Sequence, residues 1–168
     1  MIRITIILLL SSLSLFSQKS DSITIYYFLA EDCKICQYYS LTMNELHEEY
    51  ASDAVAFVGL FPNHFSTESG IRNYKEKYSI PFPLKREYFQ TKTKLFGATI
   101  TPEVVVYNES KKQILYQGRI DDSYYKIGRR RQVITTNELE DVLSSITKGE
   151  KPKVESIKPI GCFISLKN

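Results

Sequence analysis

Cys33 and Cys36 form a C-x-x-C, and two thiols at that spacing can exchange two electrons by closing a small-ring disulfide. Their placement sharpens this reading. They follow an unbroken β-branched and aromatic run, residues 23–29 (ITIYYFL), and open a stretch with helical periodicity. A thiol at a helix start faces unpaired N–H groups and the positive end of the helix dipole. The thiolate of Cys33 is then stabilised, and its pKa falls below the free value of about 8.5. Lys34 adds to that effect; Glu31 and Asp32 oppose it. Other uses of the pair fit less well. A structural disulfide would close too small a loop to stabilise much. A zinc site would need a second ligand pair, and neither His47 nor His64 belongs to one. A c-type haem site needs His after the second Cys, where Gln37 stands.

The elements that must position these sulfurs can be read along the chain. Residues 23–29 read as a buried strand. Ile35, Tyr39, Met43, Leu46 and Tyr50 fall on one helix face, with Asp32 where an N-cap would sit. Residues 54–61 (AVAFVGLF) are almost continuously apolar, as in a central strand covered on both faces. Residues 66–78 carry Ile71, Tyr74 and Tyr78 at helical spacing. Pro81 and Pro83 bracket a short extended piece near 82–84, and residues 89–96 predict a short helix closed by Gly97. Residues 103–107 (EVVVY) and 113–117 predict a hairpin. Residues 118–131 read as a long polar connection, with Gly128-Arg129-Arg130-Arg131 as solvated loop. Thr135-Thr136-Asn137-Glu138 has the form of a capping box ahead of Leu139, Val142, Leu143 and Ile146, and Gly149 stops that helix. The order β-α-β-α-(short helix)-β-β-α predicts an α/β fold: a mixed sheet with helices on both faces, spanning 22–148, plus a C-terminal tail over 149–168.

Composition sets the frame. The chain has 168 residues, 43% hydrophobic and 24% charged, a globular mix that excludes disordered, collagen-like and coiled-coil classes. A net charge of +3 is too mild to argue for nucleic acid, and the tyrosines (Tyr26, Tyr27, Tyr38, Tyr39, Tyr74, Tyr78) read as core and rim. Residues 1–17 have the layout of a secretory signal peptide: Arg3, an apolar run over 4–16, then small Ser17 before Gln18-Lys19. That run reaches only about 20 Å as a helix, short of the ~30 Å hydrocarbon core. No later stretch is long enough to span a bilayer. The expected location is periplasmic or secreted, where disulfides persist.

A strand, C-x-x-C on a helix, a further βα unit and a Thr-Pro opening a strand hairpin resemble the thioredoxin-like superfamily. The likeness is nearest to secreted redoxin proteins of the cytochrome-maturation and thiol-specific-antioxidant branches. It covers roughly residues 23–148. It implies a cis peptide bond at Thr101–Pro102, lying against the C-x-x-C, with the Thr101 backbone free to pair with a substrate strand. Glu103 resembles the acid of a Pro-Glu pair that tunes cysteine protonation. Residues 118–122 (GRIDD) and Gly161-Cys162 resemble a subset of secreted redoxin-like proteins. Two departures stand out. Asp32 replaces the usual Trp before the first Cys, and Ala30 stands where peroxide-reducing relatives place Thr.

Cys162 lies 13 residues beyond Gly149, so an extended tail spans about 40 Å and can reach the C-x-x-C. It is a candidate additional redox thiol exchanging with Cys33; the bland reading is a small buried residue between Ile160 and Phe163. The expected function is an exported thiol–disulfide oxidoreductase acting on a protein or small-molecule disulfide or thiol. Cys33 attacks and Cys36 resolves. Lys34, Thr101, Pro102 and Glu103 support them, and neither metal nor organic cofactor is required. A reducing role would draw on a membrane-bound electron donor. Two alternatives are a thiol peroxidase with Cys33 as peroxidatic thiol and a copper(I) carrier using Cys33 and Cys36.

Overall fold

The computed structural model describes residues 21–166; the leader over 1–17 lies outside them. The main sheet is built from β1 (Ile23–Phe28), β2 (Val55–Phe61), β3 (Leu84–Arg86), β5 (Glu103–Asn108) and β6 (Gln113–Gly118), in the spatial order β3-β2-β1-β5-β6. β1 runs parallel to β2, and β2 to β3, while β5 is antiparallel to both β1 and β6. The sheet is therefore mixed. The helices are α1 (Lys34–Tyr50), α2 (Glu68–Lys77), α3 (Thr91–Phe96) and α4 (Glu138–Thr147).

Alternation along β1 divides the core. Ile23, Ile25 and Tyr27 face a large cluster with the buried stripes of α1 (Ile35, Tyr39, Met43, Leu46), α2 (Ile71, Tyr74) and α4 (Leu139, Val142, Leu143). Tyr26 and Phe28 face a smaller cluster with Phe96 of α3, Val105, Tyr107 and Ile164 of the C-terminal tail. Helices do cover both faces, but unequally: the second face needs the tail to complete it.

Three local expectations are corrected. The capping box does not form. α4 begins at Glu138 behind Asn137, which makes no side-chain cap bond. Glu138 is instead bonded to Arg119, and Asp122 accepts from the Thr135 backbone N–H at 2.9 Å. A buried carboxylate gains more from a guanidinium than from a helix N–H. The polar connection contains a small hairpin, β7 (Tyr124–Lys126) with β8 (Arg129–Arg130). The extended piece lies slightly later than expected, as β3, because Pro83 supplies the carbonyl to Gly59 at 2.9 Å. Gly97 and Gly149 end their helices with φ of 64° and 73°, as expected.

The tail is held against the domain. β4 (Ile100–Thr101) pairs antiparallel with β9 (Cys162–Phe163), Ile100 opposite Phe163 and Thr101 opposite Cys162. Beyond them Ile164 N–H donates to Thr99 O at 2.9 Å, Ser165 N–H to Asn63 Oδ1 at 2.8 Å, and Gln90 Nε2 to Ser165 O at 2.7 Å. Before them Arg119 N–H donates to Ile157 O at 3.0 Å. Among the described residues no helix is long and apolar enough to cross a membrane.

Candidate functional site

Cys33 itself, and not Asp32, caps α1. Its backbone is extended (φ −71°, ψ 110°), and its sulfur accepts from Cys36 N–H at 3.5 Å. A cysteine side chain is short enough to fold back onto the first turn as Ser or Asp does, so the helix starts one residue later than a polar cap at Asp32 requires. Cys36 lies one turn in. Its carbonyl accepts from Tyr74 Oη at 2.9 Å, which ties the first turn of α1 to α2. Both thiols are free and buried; Cys33 is 1% exposed and Cys36 0%.

The Thr101–Pro102 peptide is cis. The Thr101 carbonyl oxygen lies 3.3 Å from the Cys33 sulfur and accepts its S–H when that thiol is protonated. The Thr101 backbone edge, however, is not free. β9 of the same chain already pairs with it, and the Thr101 hydroxyl donates to Cys162 O at 3.5 Å. The expectation of an open edge for a substrate strand is overturned. The tail reaches that edge because Gly161 lacks a Cβ: a methyl there would collide with the Thr101 carbonyl.

The third cysteine follows from this register. Cys162 is exposed, and because it pairs with Thr101, whose carbonyl oxygen lies 3.3 Å from the Cys33 sulfur, the third cysteine lies beside the C-x-x-C. Cys162 is not the small buried residue of the bland reading. Protons divide unequally among the three. The Cys36 thiol lowers the Cys33 pKa most; burial opposes it, and the Cys36 backbone N–H, the Cys162 thiol and Thr101 lower it further, to about 5. Burial and the neighbouring Cys33 charge push Cys36 well up. Burial, Cys33 and the nearby Asp32 carboxylate push Cys162 up to about 12. Of the three thiols, the surroundings favour the charge on Cys33.

The supporting residues are placed differently from expectation. Lys34 Nζ donates to Gln37 Oε1 at 3.3 Å, on the exposed side of the first turn. Glu31, expected to oppose the thiolate, is used elsewhere: it accepts from Ser66 Oγ at 2.7 Å and Thr67 N–H at 3.2 Å, fixing the start of α2. Glu103 is buried, but it accepts from Gln117 Nε2 at 2.8 Å and Thr99 N–H at 3.2 Å; neither cysteine is its partner. Asp32 is the acid that does act at the site, through Cys162.

The rim comes from the connection that reads as polar loop. Tyr38 of α1 meets Tyr124 of β7 edge-on at 5.3 Å, and Arg130 lies 4.7 Å over the Tyr38 ring. Burial pushes the Tyr124 pKa up, Arg130 opposes it, and Tyr38 and the nearby Cys33 charge add smaller upward pushes. Tyr39 Oη donates to Asp121 Oδ1 at 2.6 Å, fastening the GRIDD segment to α1. Only the Tyr-Tyr repeats flanking the cysteines hint at this rim in sequence.

No family model and no curated protein matches the chain. Solved structures do. An uncharacterized conserved protein from Geobacillus kaustophilus superposes with a TM-score of 0.75 at 22% identity, covering 89% of this chain and 79% of that one. A hypothetical protein from Sinorhizobium meliloti 1021 also gives 0.75, at 20% identity over 88% and 81%. A thioredoxin-like protein from Aeropyrum pernix gives 0.54 at 17% identity over 78% and 80%. The fold is thioredoxin-like. That fold puts the N-terminus of α1 and the loop holding Pro102 side by side, which is why residues 68 positions apart meet at Cys33 and Thr101.

Proposed function

We infer that the protein is an exported thiol–disulfide oxidoreductase whose active dithiol is Cys33–Cys36. The observation that carries this is the geometry at the start of α1, where Cys33 caps the helix with its sulfur accepting from Cys36 N–H at 3.5 Å, beside the Thr101–Pro102 peptide. A sulfur with a pKa near 5 is a thiolate at neutral pH, and the buried Cys36 beside it stays protonated. Cys33 is then the attacking sulfur and Cys36 the resolving one. Attack on a substrate disulfide gives a mixed disulfide on Cys33. Cys36 displaces the substrate thiol and leaves the Cys33–Cys36 bond; the reverse sequence oxidises a dithiol. In this reading Cys36 N–H steadies the Cys33 thiolate, and Thr101 and Pro102 position the segment beside it. Export to a periplasmic or extracellular space and a donor at the membrane belong to the same reading, supported by the leader-like residues 1–17.

The thiol peroxidase and copper-carrier readings have less behind them. Residue 30 is a buried Ala with no hydroxyl to position peroxide. A copper(I) carrier would use both thiols as thiolates, and burial pushes the Cys36 thiol up. The test is equilibration of the protein across glutathione redox buffers, followed by peptide mass mapping. A Cys33–Cys36 disulfide forming with a single midpoint is the expected result. If both residues remain thiols throughout, and Cys33 resists iodoacetamide at neutral pH, the dithiol reading is wrong. The Cys36→Ser, Cys162→Ser double variant, which has no second thiol to resolve a mixed disulfide, names the partner by trapping it in the native host.

A further inference from the structure

The three sulfurs differ most in what can reach them. Cys33 is 1% exposed and Cys36 0%, whereas Cys162 is exposed. The edge of β4, the remaining approach for a polypeptide, is already paired with β9, and the tail is bonded on both sides of that pairing, at Ile157 and at Ser165. A disulfide between Cys33 and Cys36 would therefore be shielded from an external thiol, which must approach in line with the S–S bond of the sulfur it attacks.

We propose that Cys162 is the outward sulfur of a three-cysteine relay: oxidising equivalents held between Cys33 and Cys36 pass to a Cys33–Cys162 disulfide, and low-molecular-weight thiols and disulfides exchange at Cys162. The proposal rests on the dithiol reading above for the Cys33–Cys36 bond, moves the first external contact from Cys33 to Cys162, and names the substrate class. Small molecules fit because contact at Cys162 needs no strand pairing at Thr101.

The chemistry balances. Deprotonated Cys162 attacks the Cys33 sulfur of the Cys33–Cys36 bond. The Cys33–Cys162 bond forms, the Cys33–Cys36 bond breaks, and Cys36 takes up one proton. An external thiolate then attacks the Cys162 sulfur and Cys33 leaves as thiolate. A leaving thiol of low pKa departs faster, and Cys33 is the most acidic of the three. A second external thiolate attacks the external sulfur of that mixed disulfide, releasing a small disulfide and returning Cys162 to a thiol. Two external thiols are oxidised, one protein disulfide is reduced, and one proton goes to solvent. Run backward, the sequence reduces a small disulfide.

The test compares oxidised wild type with Cys162→Ser, mixing each with excess glutathione in a stopped-flow instrument. Serine keeps a hydroxyl at position 162, and the pH profile of Cys33 alkylation checks that the acidity of Cys33 is kept. The relay requires the variant to carry the Cys33–Cys36 disulfide yet lose it at least about tenfold more slowly, because the exposed sulfur is gone. Equal rates overturn the relay and leave the dithiol reading standing. Absence of the Cys33–Cys36 disulfide in both proteins overturns both. As a second measurement, Cys36→Ser treated with one equivalent of glutathione disulfide should yield an intramolecular Cys33–Cys162 disulfide on mass mapping. A lasting glutathione adduct on Cys33 instead contradicts the relay.

Discussion

The two sides of the sulfur site are held by different physics. On one side, Cys33 and Cys36 are fixed by a single turn of α1: an extended cap residue, a sulfur accepting from a backbone N–H three residues on, and a helix stripe buried in the larger core. On the other side, Thr101 and Cys162 stand 61 positions apart and meet through a two-residue ladder and a glycine that lets the strands close. The first side is cheap to form, since its contacts are local. The second requires closing a long loop, and the smaller core that receives Ile164 is its main anchor. A local device creates the reactive sulfur, and a non-local one decides who may touch it.

The largest expected effect breaks the first side. Cys33→Ser should remove catalysed thiol–disulfide exchange, measured as glutathione-dependent reduction of a small aromatic disulfide, because neither the Cys33–Cys36 nor the Cys33–Cys162 bond can form; retained turnover would mean that Cys33 is not part of the reaction. Next comes the second side. Gly161→Ala places a methyl against the Thr101 carbonyl, so β9 should lift from β4. Uncovering Cys33 should speed its alkylation at neutral pH by about tenfold or more, as access, not only thiolate fraction, limits a shielded cysteine. An unchanged rate would show that the strap does not shield it.

A pH profile sharpens the contrast. Alkylation of Cys33 in the wild type should rise to a plateau with its midpoint at about 5, and in Gly161→Ala the midpoint should move upward, because the Cys162 donor leaves with the strap. The folded pKa lies below the ordinary value of 9.0, so the thiolate contributes stability above that value and loses it as pH falls through about 5. Urea midpoints of reduced wild type and Cys33→Ser should therefore converge toward pH 4 and separate between 5 and 9. The smallest effect concerns Asp32, an exposed carboxylate that raises the Cys162 pKa. Asp32→Asn should make Cys162 slightly more acidic, by less than about one unit and less still at high salt, since exposed charges are screened. An alkylation titration of Cys162 in the Cys33→Ser background checks it.

How far the sequence carried the reading follows the same division. The strand before the cysteines, the stripe Ile35-Tyr39-Met43-Leu46, the hairpin after Thr101 and the glycine stops are all legible, because hydrophobic periodicity and turn chemistry are local signals. The cis bond before Pro102 is expected only through resemblance. Lys34 and Glu103 look functional beside the cysteines in sequence, but their partners in space are Gln37, Gln117 and Thr99. Glu138 looks like half of a capping box and is taken by Arg119. In each case a charged group follows the strongest tertiary partner, which no neighbour in sequence reveals.

By itself, then, the sequence determined that two thiols would sit at the start of a helix behind a buried strand, since that needs only the pattern of a few adjacent residues. Whether the third cysteine joined them, and whether the groove beside Thr101 stood open, was decided only when the chain folded back on itself. A tail can reach many places; the pairing of Thr101 with Cys162, permitted by the missing side chain at Gly161 and fastened at Asn63 and Gln90, selected one.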